Sequence, residues 1–298
     1  MRTQLQVLLK IVFEQSMTQD NYETSPNFIS GLVSKAAGVL PLVDGAQLPG
    51  GGTRIVDGYS SFYPVPIGDS GELVLIDGGI DKHAKKLEHF INQRELGLGA
   101  IKAVLLTHAH RDHIGAPHSL LNRGADIKVF VSAADGEVLQ GQRRGEGKLQ
   151  ILTDRIPGLD AAIPGIEPEI IEDGETISFG DQLKIKALAV PGHTRGSMGF
   201  KISGSSDGSN VLYIGDALDL TTNGAKNAAW LLSGDTKTSE QSIIDLTYRM
   251  IREGDEIDSV IPAHSGDSSF NNLRAFRAAQ KARELRAVNF SARRHTAY

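Results

Sequence analysis

A layered α/β fold is what this 298-residue chain predicts. Apolar runs of strand length alternate with stretches of helical period, Gly and Pro punctuate the passages between them, and polar donors recur just after the strands. With 40% hydrophobic residues the chain can bury one large core, and a single large domain is preferred to two modest ones.

Residues 1 to 50 read as an N-terminal extension and residues 51 to 298 as the main domain. The extension opens with an amphipathic helix using Leu5, Leu8, Leu9 and Val12, and ends in the breaker run Leu48-Pro49-Gly50-Gly51-Gly52. Its composition suits a dimer element or a lid. The first apolar run is short, is interrupted by Lys10 and lacks a small-residue cleavage site, which makes a poor signal peptide. No stretch reaches the roughly 20 apolar residues that would span a bilayer. A cytoplasmic protein without a membrane partner is the expectation.

In the main domain, residues 55 to 67 and 72 to 76 read as strands joined by Gly68-Asp69-Ser70-Gly71. Ala84, Leu87, Phe90 and Ile91 mark one face of a helix, broken by Gly97 and Gly99 before the strand Ile101 to Leu106. A short helix from His118 to Asn122, the strand Ile127 to Val131 and a helix from Ala133 to Gln140 follow. Residues 141 to 165, polar and glycine-bearing, read as an irregular insertion. Strands resume at Glu169 to Ile171, Thr176 to Phe179, Leu183 to Val190, Met198 to Ile202 and Val211 to Ile214, with Gly204 to Gly208 as a turn. Ser239 to Arg252 is a helix with Gly254 beyond its end, then come strand Ile257 to Ile261 and a helix from Phe270 to Val288.

The net charge of −5 gives no electrostatic reason to expect nucleic acid, whose partners show clustered Lys and Arg. The chain has no cysteine, which removes disulfides, thiolate ligands and a cysteine nucleophile. Against that background Thr107-His108-Ala109-His110-Arg111-Asp112-His113 and Pro191-Gly192-His193-Thr194 stand out as metal-grade donors, joined by Asp216 and His264 after two further apolar runs. His108 and His110, two residues apart on extended chain, share one side, while Asp112 and His113 lie where the chain turns. Every cluster follows a strand, and loops at the ends of neighbouring strands gather at one edge of a sheet. His83, His89 and His295 read as surface or tail residues, and His118 as packing or support. Tyr59, Phe62, Tyr63 and Trp230 are equally explained as pocket wall or as core; Arg195 and Lys226 as anion contacts or as solvated charge.

These residues resemble the metallo-β-lactamase superfamily, whose pattern His-x-His-x-Asp-His, then His, Asp and His is met in order by His108, His110, Asp112, His113, His193, Asp216 and His264. Leu75-Ile76-Asp77-Gly78-Gly79 is similar to the family's early strand-end Asp. The resemblance covers residues 54 to 267 and implies a four-layer αβ/βα sandwich, with residues 51 to 298 as its catalytic domain. It assigns His108, His110 and His193 to a first metal, Asp112, His113 and His264 to a second, and Asp216 to a bridge. Asp at a position where some true β-lactamases carry Cys or Ser argues against antibiotic hydrolysis as the native task, and no evident basic motif for glutathione follows.

The implied chemistry is hydrolysis of an ester, lactone, thioester or related bond in a small molecule by a hydroxide bridging two divalent ions, with Asp112 orienting it. Zinc is the default for these donors, with iron or manganese compatible. Asp77 and Thr194 are candidates for bonds that fix imidazole orientation, and Gly192 and Gly196 for close backbone approach. A phosphodiesterase or nuclease, a β-lactamase side activity and a mononuclear iron persulfide dioxygenase are the competing readings. A homodimer through the extension is compatible with all of them.

Overall fold

The fold grows from strands too apolar to leave either face in water. Successive strand side chains point opposite ways, so Leu73 and Leu75 join one buried cluster while Val74 and Ile76 join another. The same sorting sends Val211 and Tyr213 to the second cluster and Leu212 and Ile214 to a third. The computed structural model describes residues 38–155, 160–203, 207–222, 224–227, 232–267 and 273–274. Over these residues the three clusters separate four layers, αβ/βα, as the resemblance implies.

The first sheet has the order β1-β2-β3-β4-β5-β6 and is built from Ile55–Asp57, Ser60–Pro66, Leu73–Ile76, Ile101–Leu105, Lys128–Val131 and Glu169–Ile170. β1 to β3 are antiparallel neighbours, and β3 to β6 run parallel. Helices α1 (Lys85–Asn92), α2 (Gly115–Asn122) and α3 (Ala133–Leu139) cover its outer face through Leu87, Phe90, Leu120, Val138 and Leu139. The second sheet, in the order β13-β10-β9-β8-β7, uses Thr176–Phe179 (β7), Leu183–Ala189 (β8), Met198–Ser203 (β9), Val211–Gly215 (β10) and Ser259–Pro262 (β13). Its outer face packs on Ile243, Leu246 and Met250 of the helix Thr236–Glu253. Asp235 caps the start of that helix by accepting from the Lys237 and Thr238 amides, and Gly254 ends it.

Several local readings change. The run 55 to 67 is two strands, because Gly58, at φ 68°, turns the chain back so that Asp57 pairs with Ser60. Residues 141 to 165 are not wholly irregular: they hold the helix Lys148–Thr153 (α4) and bury Ile163 in the outer core. Leu218–Thr221 and Gly224–Asn227 form an extra hairpin, β11–β12. The helix read from Ser239 starts at Thr236, which adds its polar first turn, and that read from His118 starts at Gly115. The N-terminal helix, His295 and Trp230 lie outside the described residues, as does the helix from Phe270 apart from residues 273–274, which are helical. Residues 38–50, placed in the extension, touch the body: the Leu40 amide donates to the Leu220 carbonyl, the Gly266 amide donates to the Leu40 carbonyl, and Leu42 and Leu48 are buried.

Gly192 lets two layers close. Its φ is 132°, and a Cβ there would stand 2.0 Å from the Ser239 amide nitrogen in the first turn of the long helix α5 (Thr236–Glu253). Backbone on both sides leaves nothing flexible to yield, so Gly192→Ala is expected to destabilise the protein by about 3 kcal/mol or more. Urea unfolding midpoints of the two proteins would measure it.

Candidate metal centre

The C-terminal ends of β3, β4, β8, β10 and β13 deliver Asp77, the 108–113 turn, His193, Asp216 and His264 to one edge of the sandwich. Backbone bonds fasten that edge: the Met198 amide of the second sheet donates across to the Thr107 carbonyl at 2.8 Å, and within the second sheet the Ala263 amide donates to the Gly215 carbonyl at 3.1 Å. All seven donors read from the sequence come together there. Three overlapping groups, His108 with His110 and His193, His108 with His113 and Asp216, and Asp112 with His113 and His264, each have one ligand atom per residue within 4.8 Å of the others. Such a cluster is capable of binding metal ions.

Asp216 sits among four imidazoles. Its Oδ2 is 3.0 Å from Nε2 of His264, 3.3 Å from Nε2 of His193 and 3.9 Å from Nε2 of His108, and its Oδ1 is 3.3 Å from Nε2 of His113. Asp112 Oδ2 lies 3.2 Å from Nε2 of His264 and 3.7 Å from that of His113.

The outward nitrogen of each ring is already engaged, which fixes the atom turned inward. His110 donates its Nε2–H to the Glu146 carbonyl at 2.8 Å, leaving a lone pair on Nδ1. His264 donates Nδ1–H to the Tyr59 carbonyl at 2.9 Å. His108 Nδ1 meets the Thr107 hydroxyl at 3.1 Å, and that hydroxyl itself donates to Asp77. His193 Nδ1 meets Ser233 Oγ at 3.2 Å, and His113 Nδ1 stands 2.9 Å from Asp77 Oδ2. Asp77 also accepts the Thr107 amide at 2.8 Å, and it holds an unusual φ of 59° where the strand stops.

The inward atoms fit a cation. Nε2 of His108, Nε2 of His113 and Oδ1 of Asp216 are buried without a hydrogen-bond partner, an arrangement that leaves each desolvated group about 1–3 kcal/mol short. His110 Nδ1 and His193 Nε2 face each other at 2.9 Å. A positive ion against these nitrogen and oxygen lone pairs satisfies all of them together.

Electrostatics divide the rings into two sets. Burial, with the neighbouring rings, holds His108 well below the ordinary imidazole range; burial also lowers His110 and brings His193 to about 3. These three are neutral at pH 7. Burial opposes charge on His113 and His264 as well, but for His113 the carboxylates of Asp77, Asp216 and Asp112 outweigh it, and for His264 those of Asp216 and Asp112 do. Both stay well above the usual range. The same pairs overcome burial to hold Asp112 at about 2 and Asp216 well below the carboxylate range.

Other candidates sort by position. Tyr59, half-buried, stacks on His264 with ring centroids 5.7 Å apart and planes 20° from parallel. Phe62 and Tyr63 are core, although the Tyr63 hydroxyl donates to the Pro262 carbonyl at 2.7 Å and so steadies the His264 loop. Thr194 differs from expectation: its hydroxyl engages Asp135 and Ser197 instead of an imidazole. Arg195 is 76% exposed and pairs with Glu146, and Lys226 lies 3.9 Å from Asp219. His83 and His89 are exposed on the helical side, and His118 accepts a contact from Asn122 on α2.

Sequence reasoning missed Thr107, Asp135, Glu146 and Ser233. Thr107 had a signal, since it adjoins the motif; the others had none. A cavity of about 490 Å³, lined by Glu146, Gly147, Gly192, Ser233 and Asp235 among others, lies behind the His110 and His193 rings, and none of the seven donors lines it.

The comparisons agree with this geometry. The family described as the metallo-beta-lactamase superfamily matches residues 65–248. The Probable metallo-hydrolase YflN of Bacillus subtilis (strain 168) is 28% identical over 223 residues, 68% of this chain and 78% of that protein. The Uncharacterized protein YobT of the same organism is 30% identical over 169 residues, 54% of this chain and 65% of its own length. A Hydroxyacylglutathione hydrolase of Prochlorococcus marinus (strain MIT 9312) is 34% identical over 119 residues, 40% of this chain and 36% of that protein. The chain thus spans less than two thirds of the length of these last two relatives. A B3 metallo-beta-lactamase with an active-site glutamic acid has a similar structure, with a TM-score of 0.58 at 21% identity over 88% of this chain and 96% of the other, a likeness of fold alone. No helix among the described residues is long and apolar enough to cross a membrane. With more than half of its length matched by the family, the chain belongs to the metallo-beta-lactamase superfamily.

Proposed function

We propose that this protein is a dinuclear metallo-hydrolase that acts on an ester, lactone, thioester or related bond of a small molecule. The observation that carries the reading is the pair of donor triads meeting at one carboxylate, Asp216, with His108 Nε2, His113 Nε2 and Asp216 Oδ1 buried and without a hydrogen bond. His108 Nε2, His110 Nδ1 and His193 Nε2 would hold one ion, Asp112, His113 Nε2 and His264 Nε2 the other, and Asp216 faces both. The donors are imidazole and carboxylate without thiolate, which makes zinc the first choice and leaves iron and manganese compatible. When bound, such ions supply Lewis acidity toward a scissile carbonyl and bring the pKa of water toward about 7.

The chain's own groups perform the remaining tasks. Asp112, ionised at any working pH, can accept a hydrogen bond from the attacking water and orient it. Tyr59 keeps its phenolic proton, because burial and the Asp112 charge raise its pKa well above the ordinary value, so it can donate to an acyl oxygen while its ring walls the site. The relative named hydroxyacylglutathione hydrolase supports an acyl substrate, and a net charge of −5 does not favour a nucleic acid. The complete Asp112, His113 and His264 triad supports a second ion over a mononuclear iron site.

Elemental analysis of protein purified with neither chelator nor added metal tests this, together with a panel of lactones, thioesters, aryl esters and phosphodiesters. About two ions per chain and hydrolysis of a carbonyl substrate, abolished by chelation and restored by zinc, is the expected result. A single iron with oxygen uptake would refute it.

Acid should remove the two ions in order. In the metal-free cluster His113 and His264 are protonated and must lose those protons to bind, whereas His108, His110 and His193 are already neutral. Affinity at the Asp112 half-site therefore falls more steeply as pH falls. Competitive chelator titrations at pH 6 and pH 8 should show one binding step weakening far more than the other.

A further inference from the structure

Two acidic residues outside the seven donors, Asp135 and Glu146, bond to the loops that carry the three rings of the first half-site. Asp135, in the first turn of α3, is 1% exposed, and burial pushes its pKa up to about 6, an unfavourable setting for a carboxylate with no structural task. Its Oδ2 accepts the Thr194 hydroxyl at 2.8 Å, and the Ala109 amide also donates to its carboxylate. Thr194 follows His193, and Ala109 separates His108 from His110. One side chain thus ties together the two loops that carry all three imidazoles. Gly196 makes room for it, since a Cβ there would stand 2.1 Å from Ser132 Oγ and 2.9 Å from the Asp135 carboxylate.

Glu146 completes the frame. Its carbonyl accepts His110 Nε2–H at 2.8 Å, while its carboxylate accepts the Arg195 amide at 2.8 Å and the Arg143 guanidinium at 2.7 Å. Arg143 returns to the Ala134 carbonyl at 2.8 Å, beside Asp135. The result is a closed circuit from α3 through Arg143, Glu146, Arg195 and Thr194 back to Asp135. The second half-site is braced differently, with Asp77 directly against His113.

We propose that Asp135 and Glu146 are positioning residues for the first half-site alone: they fix the His108, His110 and His193 rings through Ala109, Thr194 and a backbone carbonyl supplied by the 141 to 165 segment. Neither residue touches substrate. The metal-affinity part of this inference rests on the dinuclear reading, but the ring positions do not, and the test separates them.

Asp135→Asn, Thr194→Val, Glu146→Ala and Glu146→Gln would be compared with Asp77→Asn. One readout is the occupancy of each half-site, from anomalous diffraction of crystals grown at substoichiometric zinc; the other is the histidine tautomers of metal-free protein, from ¹⁵N NMR. Asp135→Asn, Thr194→Val and Glu146→Ala are expected to weaken zinc binding at the first half-site by about 10–100-fold and leave the second unchanged, with Glu146→Gln restoring most of the loss, whereas Asp77→Asn, which reaches His113 directly and His108 through Thr107, weakens both half-sites. Glu146→Ala should also release His110 from its single Nε2–H tautomer. Equal weakening of both half-sites by the Asp135, Thr194 and Glu146 variants, or no change in any of them, overturns the inference. If the unmodified protein binds no zinc, the dinuclear reading falls and the tautomer of His110 decides alone: unchanged in Glu146→Ala, it overturns the brace; changed, it supports the brace. Variants too unstable to crystallise are judged by that same spectrum in Thr194→Val, which removes only a hydroxyl, with mixed His193 tautomers as the supporting result and unchanged ones as the contrary result.

Discussion

Replacing Asp216 with asparagine should leave a folded protein that holds less than one metal ion per chain and hydrolyses its substrate about 10³-fold more slowly, the equivalent of ~4 kcal/mol at the transition state. Asparagine keeps the size of the side chain and removes its charge. That charge is the common neighbour of His264, His193 and His113 at 3.0 to 3.3 Å, and it is the group toward which both triads turn. Without it only Asp112 among the seven donors carries a negative charge, so two dications would meet five neutral imidazoles and one carboxylate. Metal content per chain and turnover measured on one preparation would check the pair of effects. Full metal content with turnover lost would mean that Asp216 acts on the reaction and not on the ions.

The second large effect is on stability. A ligand present at about 1,000 times its dissociation constant stabilises the folded state by about 4 kcal/mol. In a domain of this size 1 kcal/mol moves the melting temperature by about 2–4 °C, so chelation is expected to lower it by roughly 10 °C. The structure gives the reason. The unpartnered atoms of His108, His113 and Asp216 are buried at the meeting point of both sheets, and stripping the site leaves them desolvated at the place where the layers join. Thermal unfolding with and without chelator, followed by zinc readdition, would show it; an unchanged midpoint would mean that the cluster does not hold ions tightly.

Most of the scaffold was legible because burial on both faces writes strands as continuous apolar runs. Leu73–Ile76 and Ile101–Leu105 are clear cases, and the donors that follow such runs had to reach one edge. What escaped the reading follows a pattern. The β11–β12 hairpin escaped because its second strand, Gly224–Asn227, is a polar stretch with no apolar alternation to mark it. Helix α4 is too short to show a period, and Gly147, at φ 87° against the Leu232 carbonyl, seats it through tertiary contact. Glu146 was invisible for a deeper reason: the group that meets His110 is a backbone carbonyl, which every residue possesses. Thr194 was read as serving an imidazole because it adjoins one, yet its hydroxyl finds the Asp135 carboxylate, whose position depends on a helix about 60 residues earlier in the chain.

The parallel pairing of β10 with β13 sets a timetable for assembly. His264 rides at the end of β13, an edge strand that reaches its neighbour only after the long α5 crossover has been made, whereas His108 through His193 precede both. At about 5–20 residues per second of synthesis, several seconds separate the emergence of His193 from that of His264. During that interval the nascent chain offers one imidazole triad and an unfinished neighbour. Among the described strands the one latest in the chain therefore also supplies the last of the seven donors, so the full set exists only once β13 has paired with β10.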